Sequence, residues 1–366
     1  MIVFLPPVRN HLYSKYGNTI VQSFISASEV DDFEFVSLEP FVLKSGENRY
    51  LFTSKHDSEI PEDFNFALLT FRKPQKKDFV NNTLPIKQWL KNPAILPLTP
   101  DEVRNSWKDK FKFVKENVAQ NIQGLRPPQI GALYSILAHV QNPEDRAIIV
   151  MPTGTGKTEV MLSALIANQC PKLLVTVPSD SLRTQLANKF ISLGLLKQFK
   201  IIADDCYNPQ VGIMTTKFTQ LGDLKEFISK VNVVVTTMSL LTGYGDEAKA
   251  VLAHEFSHLF IDEAHHSEAN TWKNLIGKFN YKKVFLFTAT PFRTDEKRLK
   301  GKFIFNFSLR NAQEQQYYKK INYLPIREYD PKKADERIAE QAVTQLRKDI
   351  LAGFNHIIMA RCATKI

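Results

Sequence analysis

Met151-Pro-Thr-Gly-Thr-Gly-Lys-Thr158 sets two glycines, a lysine and three hydroxyl side chains in one short stretch. A β-type run, Arg146-Ala-Ile-Ile-Val-Met151, precedes it, and a helix-type run, Glu159-Val-Met-Leu-Ser-Ala-Leu-Ile166, follows. Strand, glycine-rich loop, Gly-Lys-Thr and helix is the context in which a loop cradles phosphate. Gly154 and Gly156 let the backbone curl so that several N–H groups converge on one anion. The helix N-terminus adds its positive dipole end. Thr153 and Thr155 are expected in the same cradle, Lys157 on the outer phosphates and Thr158 as a ligand of Mg²⁺. Met151 stands where such a loop usually begins with glycine.

A triphosphate site needs a second half, a hydrophobic strand that ends in an acidic residue. His258-Leu-Phe-Ile-Asp-Glu-Ala-His265 supplies one. Asp262, at the strand's C-terminal end, is expected to face Mg²⁺. Glu263, beside it, is placed to orient or deprotonate an attacking water. Lys157, Asp262 and Glu263 are therefore the expected catalytic set, with ATP and Mg²⁺ as cofactors.

Taken together these residues resemble a family. Asp262-Glu-Ala-His265 resembles the DEAH form of the Walker B motif, and the chain is similar to superfamily-2 helicases and translocases, the group that includes DEAD/DEAH-box proteins and restriction-enzyme motors. Leu125-Arg-Pro-Pro-Gln129 resembles the Q motif, which implies that Gln129, with Arg126 beside it, reads adenine. Val177-Pro-Ser-Asp-Ser-Leu-Arg-Thr-Gln185 resembles motif Ia and Val235-Thr-Thr-Met-Ser239 motif Ib. Phe287-Thr-Ala-Thr-Pro-Phe-Arg293 resembles motif III, which implies that Thr288, Ala289, Thr290 and Arg293 couple the ATP state to nucleic-acid grip. The resemblance spans about residues 124–330 and implies a RecA-like fold.

The chemistry of the middle motifs can be argued from their residues. Loops at the carboxyl ends of parallel strands are where open α/β sheets bind ligands. Pro178, Ser179, Arg183 and Thr184 follow the run Lys172-Leu-Leu-Val-Thr-Val177, and Thr236 and Thr237 close the next one. Hydroxyls and a guanidinium suit phosphate oxygens and grip a backbone without reading its bases. Singly, each serine or threonine reads better as a helix cap; as a set, at the ends of successive strands, they favour the grip.

Charge points the same way. The net charge is +10, and residues 271–333, with 15 basic and 5 acidic side chains, hold a surplus of that size. A basic stretch after the last motif suggests a polyanion track. Tyr317, Tyr318 and Tyr323 interleave with Lys319 and Lys320, an arrangement that serves base stacking or plain packing equally. Cys170, Cys206 and Cys362 are odd in number and far apart, so no disulfide frame or zinc ribbon is expected, and a reducing cytoplasm fits. The N-terminus lacks a basic leader before a long apolar core, and no apolar run reaches bilayer length.

One motif points elsewhere. His254-Glu-Phe-Ser-His258 has the H-E-x-x-H spacing of zinc peptidases, which requires both histidines on one face of a continuous helix. His258 opens the strand that leads to Asp262, so that geometry is expected to be broken.

The expected organisation is an α/β chain. Residues 1–92 form a smaller mixed α/β accessory domain, with β-type runs at 33–37, 49–53 and 66–71; it docks on the motor, a partner or nucleic acid, and a nuclease-like fold stays open. Residues 93–123 are a proline-rich linker and a helix from about Pro100 to Gln120, opened by the capping box Thr99-Pro-Asp-Glu102. Residues 124–310 are a RecA-like ATPase domain, a parallel sheet with helices on both faces. Residues 311–366 are a connector and the start of a second RecA-like domain, with a helix over 331–353 and a strand near 356–360. No Gln-x-x-Gly-Arg-x-x-Arg pattern occurs, so the chain is expected to be the N-terminal portion of a longer motor. The function expected is an ATP-driven motor on nucleic acid, DNA favoured over RNA, in restriction or antiviral defence, with an effector nuclease or other protein as partner. The alternative is an ATP-gated sensor that controls such an effector without unwinding.

Overall fold

The opening strands pair antiparallel. The computed structural model describes residues 2–55, 60–142, 145–264, 270–279, 283–290, 299–318 and 325–357. Contacts divide the chain into Met1–Tyr317 and Tyr318–Ile366.

In the first unit, β1 (Val3–Leu5) pairs with β4 (Ser28–Val30), and β2 (Val8–Lys15) and β3 (Asn18–Ile25) form a hairpin between them. A five-stranded sheet follows: β5 (Glu34–Leu38), β6 (Phe41–Ser45), β7 (Asn48–Thr53), β8 (Phe66–Thr70) and β9 (Ile86–Lys91), with α1 (Lys76–Val80) before the last strand. The β-type runs expected here are strands. Phe33, Phe41, Tyr50, Phe52 and Trp89 bury an aromatic core on one face.

The linker expectation is corrected in part. Thr99 caps α2 (Pro100–Asn105), and its box with Glu102 is formed, Thr99 N–H donating to the carboxylate at 2.7 Å. The helix does not run to Gln120. Trp107 is buried and donates its indole N–H to the Tyr207 carbonyl at 2.9 Å, which turns the chain away. Asp109 then takes a left-handed φ of 59°. Beyond it Lys110-Phe-Lys-Phe113 alternates with period two, an extended pattern, and Phe111 bridges to Ile202.

From α3 (Pro127–Gln141) strands and helices alternate: β10 (Ala147–Val150), α4 (Lys157–Ala167), β11 (Leu173–Val177), α5 (Asp180–Ser192), β12 (Val211–Met214), α6 (Leu221–Ser229), β13 (Val233–Thr237), α7 (Met238–Thr242), α8 (Asp246–Glu255), β14 (His258–Ile261), α9 (Asn270–Lys278), β15 (Val284–Thr288), β16 (Lys302–Asn306) and α10 (Leu309–Glu314). The sheet order is β16-β10-β15-β14-β11-β13-β12-β3-β2. Strands β16 to β12 are parallel, and β3 joins β12 antiparallel. Strands β10, β11, β13, β14 and β15 are buried along their whole lengths, as parallel strands covered on both faces must be. Successive residues point to opposite faces: Ile149, Val175 and Phe285 pack with α3, α4 and α5, while Ile148, Leu174 and Leu286 pack with α6, α8 and α9. This is the RecA-like architecture expected.

The expected boundary at residue 92 does not follow the sheet. The β2–β3 hairpin, far upstream of it, completes the edge of the large sheet beside β12. In the second unit, α11 (Pro331–Leu351) is the helix expected over 331–353. His356 and Ile357 are not in a strand, and residues 358–360 lie outside the described residues.

Candidate nucleotide and nucleic-acid site

The loop after β10 is shaped by its own backbone. Thr155 is fully buried and donates its hydroxyl to the Pro152 carbonyl at 2.6 Å, so it builds the turn and does not present that hydroxyl to a ligand. Gly154 and Gly156 have φ of 83° and 93°, conformations that favour glycine. A Cβ on Gly156 would also lie 1.9 Å from Gln129 Nε2. No side chain caps α4, so its first N–H groups stay available to an anion.

Lys157, the first residue of α4, reaches the carboxylate of Glu263 at 2.9 Å. That contact joins the ends of β10 and β14 across β15. A cleft of about 300 Å³ lies there, with Thr153, Gly154, Lys157 and Thr158 on one side and Asp262 and Glu263 on the other. Gln185 and Lys189 of α5 also line it. Lys189 was not singled out in the sequence. Its i, i+4 spacing from Gln185 on a helix is the signal that could have found it.

Asp262 follows β14, and its N–H donates to the Thr176 carbonyl at 2.9 Å. Burial pushes its carboxyl above the usual carboxylate range, the Lys157 charge opposes that shift, and the Glu263 charge adds to it. Its Oδ1 is buried and has no hydrogen-bond partner. A buried carboxylate oxygen with free lone pairs, in a cleft that Thr158 also lines, is a donor set that fits a hard divalent cation such as Mg²⁺. Glu263 takes a left-handed φ of 50°, which turns the chain directly after Asp262. His265 lies outside the described residues.

Gln129 and Arg126 sit beside the loop. Gln129 accepts from its neighbour's Arg126 N–H at 2.7 Å and donates to the Gly156 carbonyl at 3.3 Å. One end of its amide thus caps α3 and the other holds the helix against the loop. A second cavity of about 270 Å³ opens here, lined by Glu116, Leu125, Arg126, Gln129 and Phe199, and it shares Gly154 and Gly156 with the first. Arg126 lies 5.4 Å above the Tyr317 ring and 3.4 Å from the Gly154 carbonyl. Tyr317 also meets Phe307 edge-on, so its ring packs within the fold. Tyr323, Lys319 and Lys320 lie outside the described residues.

The expected backbone grip is rearranged. Pro178 and Ser179 do follow β11, but the Ser179 hydroxyl caps α5 by accepting from Leu182 N–H at 3.4 Å. Arg183 is buried and pairs with Asp180 at 2.6 Å. Thr236 is fully buried and donates to the Met214 carbonyl at 3.0 Å, so its hydroxyl is not on the surface. Thr237 is buried as well and caps α7, accepting from Leu240 N–H at 3.4 Å. The loops lie where expected, but these side chains are committed to the loops' own geometry.

Residues 122–293 match the family model described as the type III restriction enzyme, res subunit. With the motif order of Leu125 to Arg293, that match makes residues 122–293 similar to the motor segment of restriction enzymes. Solved structures similar to the chain include a nuclease-deletion mutant of the type ISP restriction-modification enzyme LlaGI in complex with a DNA substrate mimic. It is 21% identical over 62% of this chain and 23% of that one, with a TM-score of 0.39. The Pyrococcus furiosus Hef helicase domain is 22% identical over 60% of this chain and 48% of that one, with a TM-score of 0.36. T4 UvsW is 19% identical over 58% and 39%, with a TM-score of 0.34. The chain spans less than half the length of each of these three structures. A comparison with curated protein sequences gives no match.

The residues expected to couple the sites begin at the last residue of β15. Thr288 is buried and accepts from Thr290 N–H at 3.1 Å, with half-buried Ala289 between them. Arg293 lies outside the described residues. Of the basic stretch, Lys302 is exposed on β16 and Arg310 pairs with Glu314 at 2.8 Å.

The H-E-x-x-H spacing is divided between elements. Helix α8 ends at Glu255, and His258 opens β14. His254 is exposed, whereas burial lowers the His258 imidazole to about 3. Asn168 Nδ2 lies 2.7 Å from its Nε2, and Ser257 Oγ 2.8 Å from its Nδ1. Among the described residues no group of three His, Cys, Asp or Glu could hold a metal, and no helix is long and apolar enough to cross a membrane. Cys170 and Cys206 are buried free thiols, and Cys362 lies outside the described residues.

Proposed function

We propose that the chain is the ATP-binding part of a nucleic-acid motor. The observation that carries this reading is the cleft in which Lys157, on an uncapped helix N-terminus, meets Glu263 beside a buried, unpartnered Asp262 oxygen. In this reading the amides around Gly154 and Gly156, with Thr153, hold the phosphates, and Lys157 leaves Glu263 for the outer ones. Thr158 and Asp262 would hold Mg²⁺, which would supply charge neutralisation. Glu263, once released, orients the attacking water and accepts its proton. Gln129 holds α3 against the phosphate loop and, with Arg126, borders the cavity offered to the base. Thr288, Ala289, Thr290 and Arg293 carry the coupling role expected of them.

We further propose DNA as the polymer and restriction or antiviral defence in the cytoplasm as the setting, with an effector subunit as partner. The match of residues 122–293 to a restriction res subunit supports that choice. The grip relies on the loops at the ends of β11 and β13 more than on the hydroxyls of Thr236 and Thr237. The five-stranded sheet of residues 34–91 is accessory, and residues 311–366 lead into a second RecA-like domain. The test is ATP turnover by the protein containing this chain, with and without single- and double-stranded DNA and RNA. Stimulation by DNA above RNA is expected. Turnover indifferent to every polymer would overturn the motor reading.

A further inference from the structure

The β2–β3 hairpin carries Tyr16 and Gly17 at its tip, with φ of 55° and 78°. Both values are positive, as a two-residue type I′ turn requires, and that turn favours asparagine or glycine. Tyrosine is a costly choice at such a φ. The residue is 54% exposed, so burial in a core does not offset that cost. Lys15 lies 5.0 Å over the ring and is held by Asp223 at 3.1 Å.

The tip is fixed to the motor. Asn18 Oδ1 accepts from the N–H groups of Thr215 and Thr216 at 2.8 and 3.0 Å. Thr215 donates its hydroxyl to the Gly17 carbonyl at 2.8 Å, and Thr216 donates to the Tyr16 carbonyl. Lys217 reaches on to the Gly243 carbonyl, after α7, at 3.0 Å. Ile213 pairs with Thr19 and Val211 with Val21, so the antiparallel hairpin brings its tip to the C-terminal end of β12. The tip thus stands in one row with the loops after β11, β13 and β12. Three strand spacings, about 14 Å, separate β11 from β3.

We infer that Tyr16 is a stacking platform that extends the nucleic-acid track beyond the RecA-like sheet, taking one base of a single strand on its exposed ring. The inference rests on the reading of the domain as a nucleic-acid motor. Aromatic stacking accepts any base, which suits a motor that holds the polymer by its backbone. The anchoring bonds among Asn18, Thr215 and Thr216 hold the Tyr16–Gly17 turn against the loop after β12.

The test is binding of fluorescein-labelled oligothymidylate and oligouridylate to the full chain, across a salt series. Tyr16→Asn removes the ring and keeps a residue that favours the turn; Tyr16→Phe keeps the ring. Thermal unfolding of each variant reports on the hairpin. Tyr16→Asn is expected to weaken binding by about 5- to 150-fold, the range for one stacked base. The log–log salt slope should stay unchanged, because no phosphate contact is lost, and Tyr16→Phe should bind as the parent does. Equal affinity of parent and Tyr16→Asn would overturn the inference and leave the motor reading standing. A parent that binds neither oligonucleotide would overturn both.

Discussion

Lys157 has two claimants, the Glu263 carboxylate at 2.9 Å and the phosphates of an incoming nucleotide. Removing the first should favour the second. Glu263→Gln is expected to bind ATP·Mg²⁺ at least as tightly as the parent while turnover falls by about 10²–10⁴, the range for a lost general base; nucleotide titration and steady-state turnover check the two halves. Asp262 makes the opposite bargain with stability. Its pKa is raised by burial, so its contribution to stability is fully present below the ordinary carboxylate range and is lost as pH rises through the raised value. At neutral pH the ionised form is a cost. Asp262→Asn should therefore stabilise the ligand-free protein by about 1 kcal/mol, read by urea unfolding, and should abolish the Mg²⁺ dependence of nucleotide binding. The residues around Lys157 were legible because Gly-Lys-Thr and Asp-Glu have few other uses after buried strands. The roles of Thr155, Arg183, Thr236 and Thr237 were not. A hydroxyl or guanidinium in a sequence does not say which nearby backbone or side-chain group will claim it, and here Pro152, Asp180, Met214 and the start of α7 do.

At the scale of elements, β14 is held by an uncharged histidine. His258 lies among buried strands, its imidazole lowered to about 3 by burial first and by the Lys283 charge second. Its folded pKa lies below the unfolded one, so its contribution is present above pH 6.5 and is lost as pH falls toward about 3. The unfolding free energy should decline by up to about 1.36 kcal/mol per pH unit in that window from this one group. His258→Gln should be less stable at neutral pH and should lose that part of the slope; unfolding at pH 7 and pH 5 separates the two. An unchanged slope would mean that His258 titrates freely. Strand β14 itself was legible from Leu259-Phe-Ile261 and the acids behind it. The end of α2 was not, because a capping box marks where a helix starts, while Trp107 stops this one through a contact 100 residues away. The hairpin's place was hidden for the same reason. The berth of β2 and β3 on β12 depends on Asn18 meeting Thr215 N–H, 197 residues along the chain.

For the whole molecule, the surplus of basic side chains predicts an electrostatic grip. Affinity for single-stranded nucleic acid should fall linearly on a log–log plot against salt, with a slope of about −0.7 per phosphate contact; a salt-independent affinity would count against a backbone track. The fold class was legible because strand–helix alternation from Arg146 to Thr290 leaves little choice but a parallel sheet. The domain boundary was not, since the large sheet recruits strands from the chain's first residues. The central claim is that the cleft between β10 and β14 holds a nucleotide through Lys157. Titration of a fluorescent ATP analogue with Mg²⁺ into the parent and Lys157→Ala tests it most directly. The account predicts saturable binding by the parent and a loss of about 10- to 150-fold in the variant, the worth of charge-assisted hydrogen bonds of about 1.5–3 kcal/mol. Equal affinity in both, with both folded by circular dichroism, would contradict it.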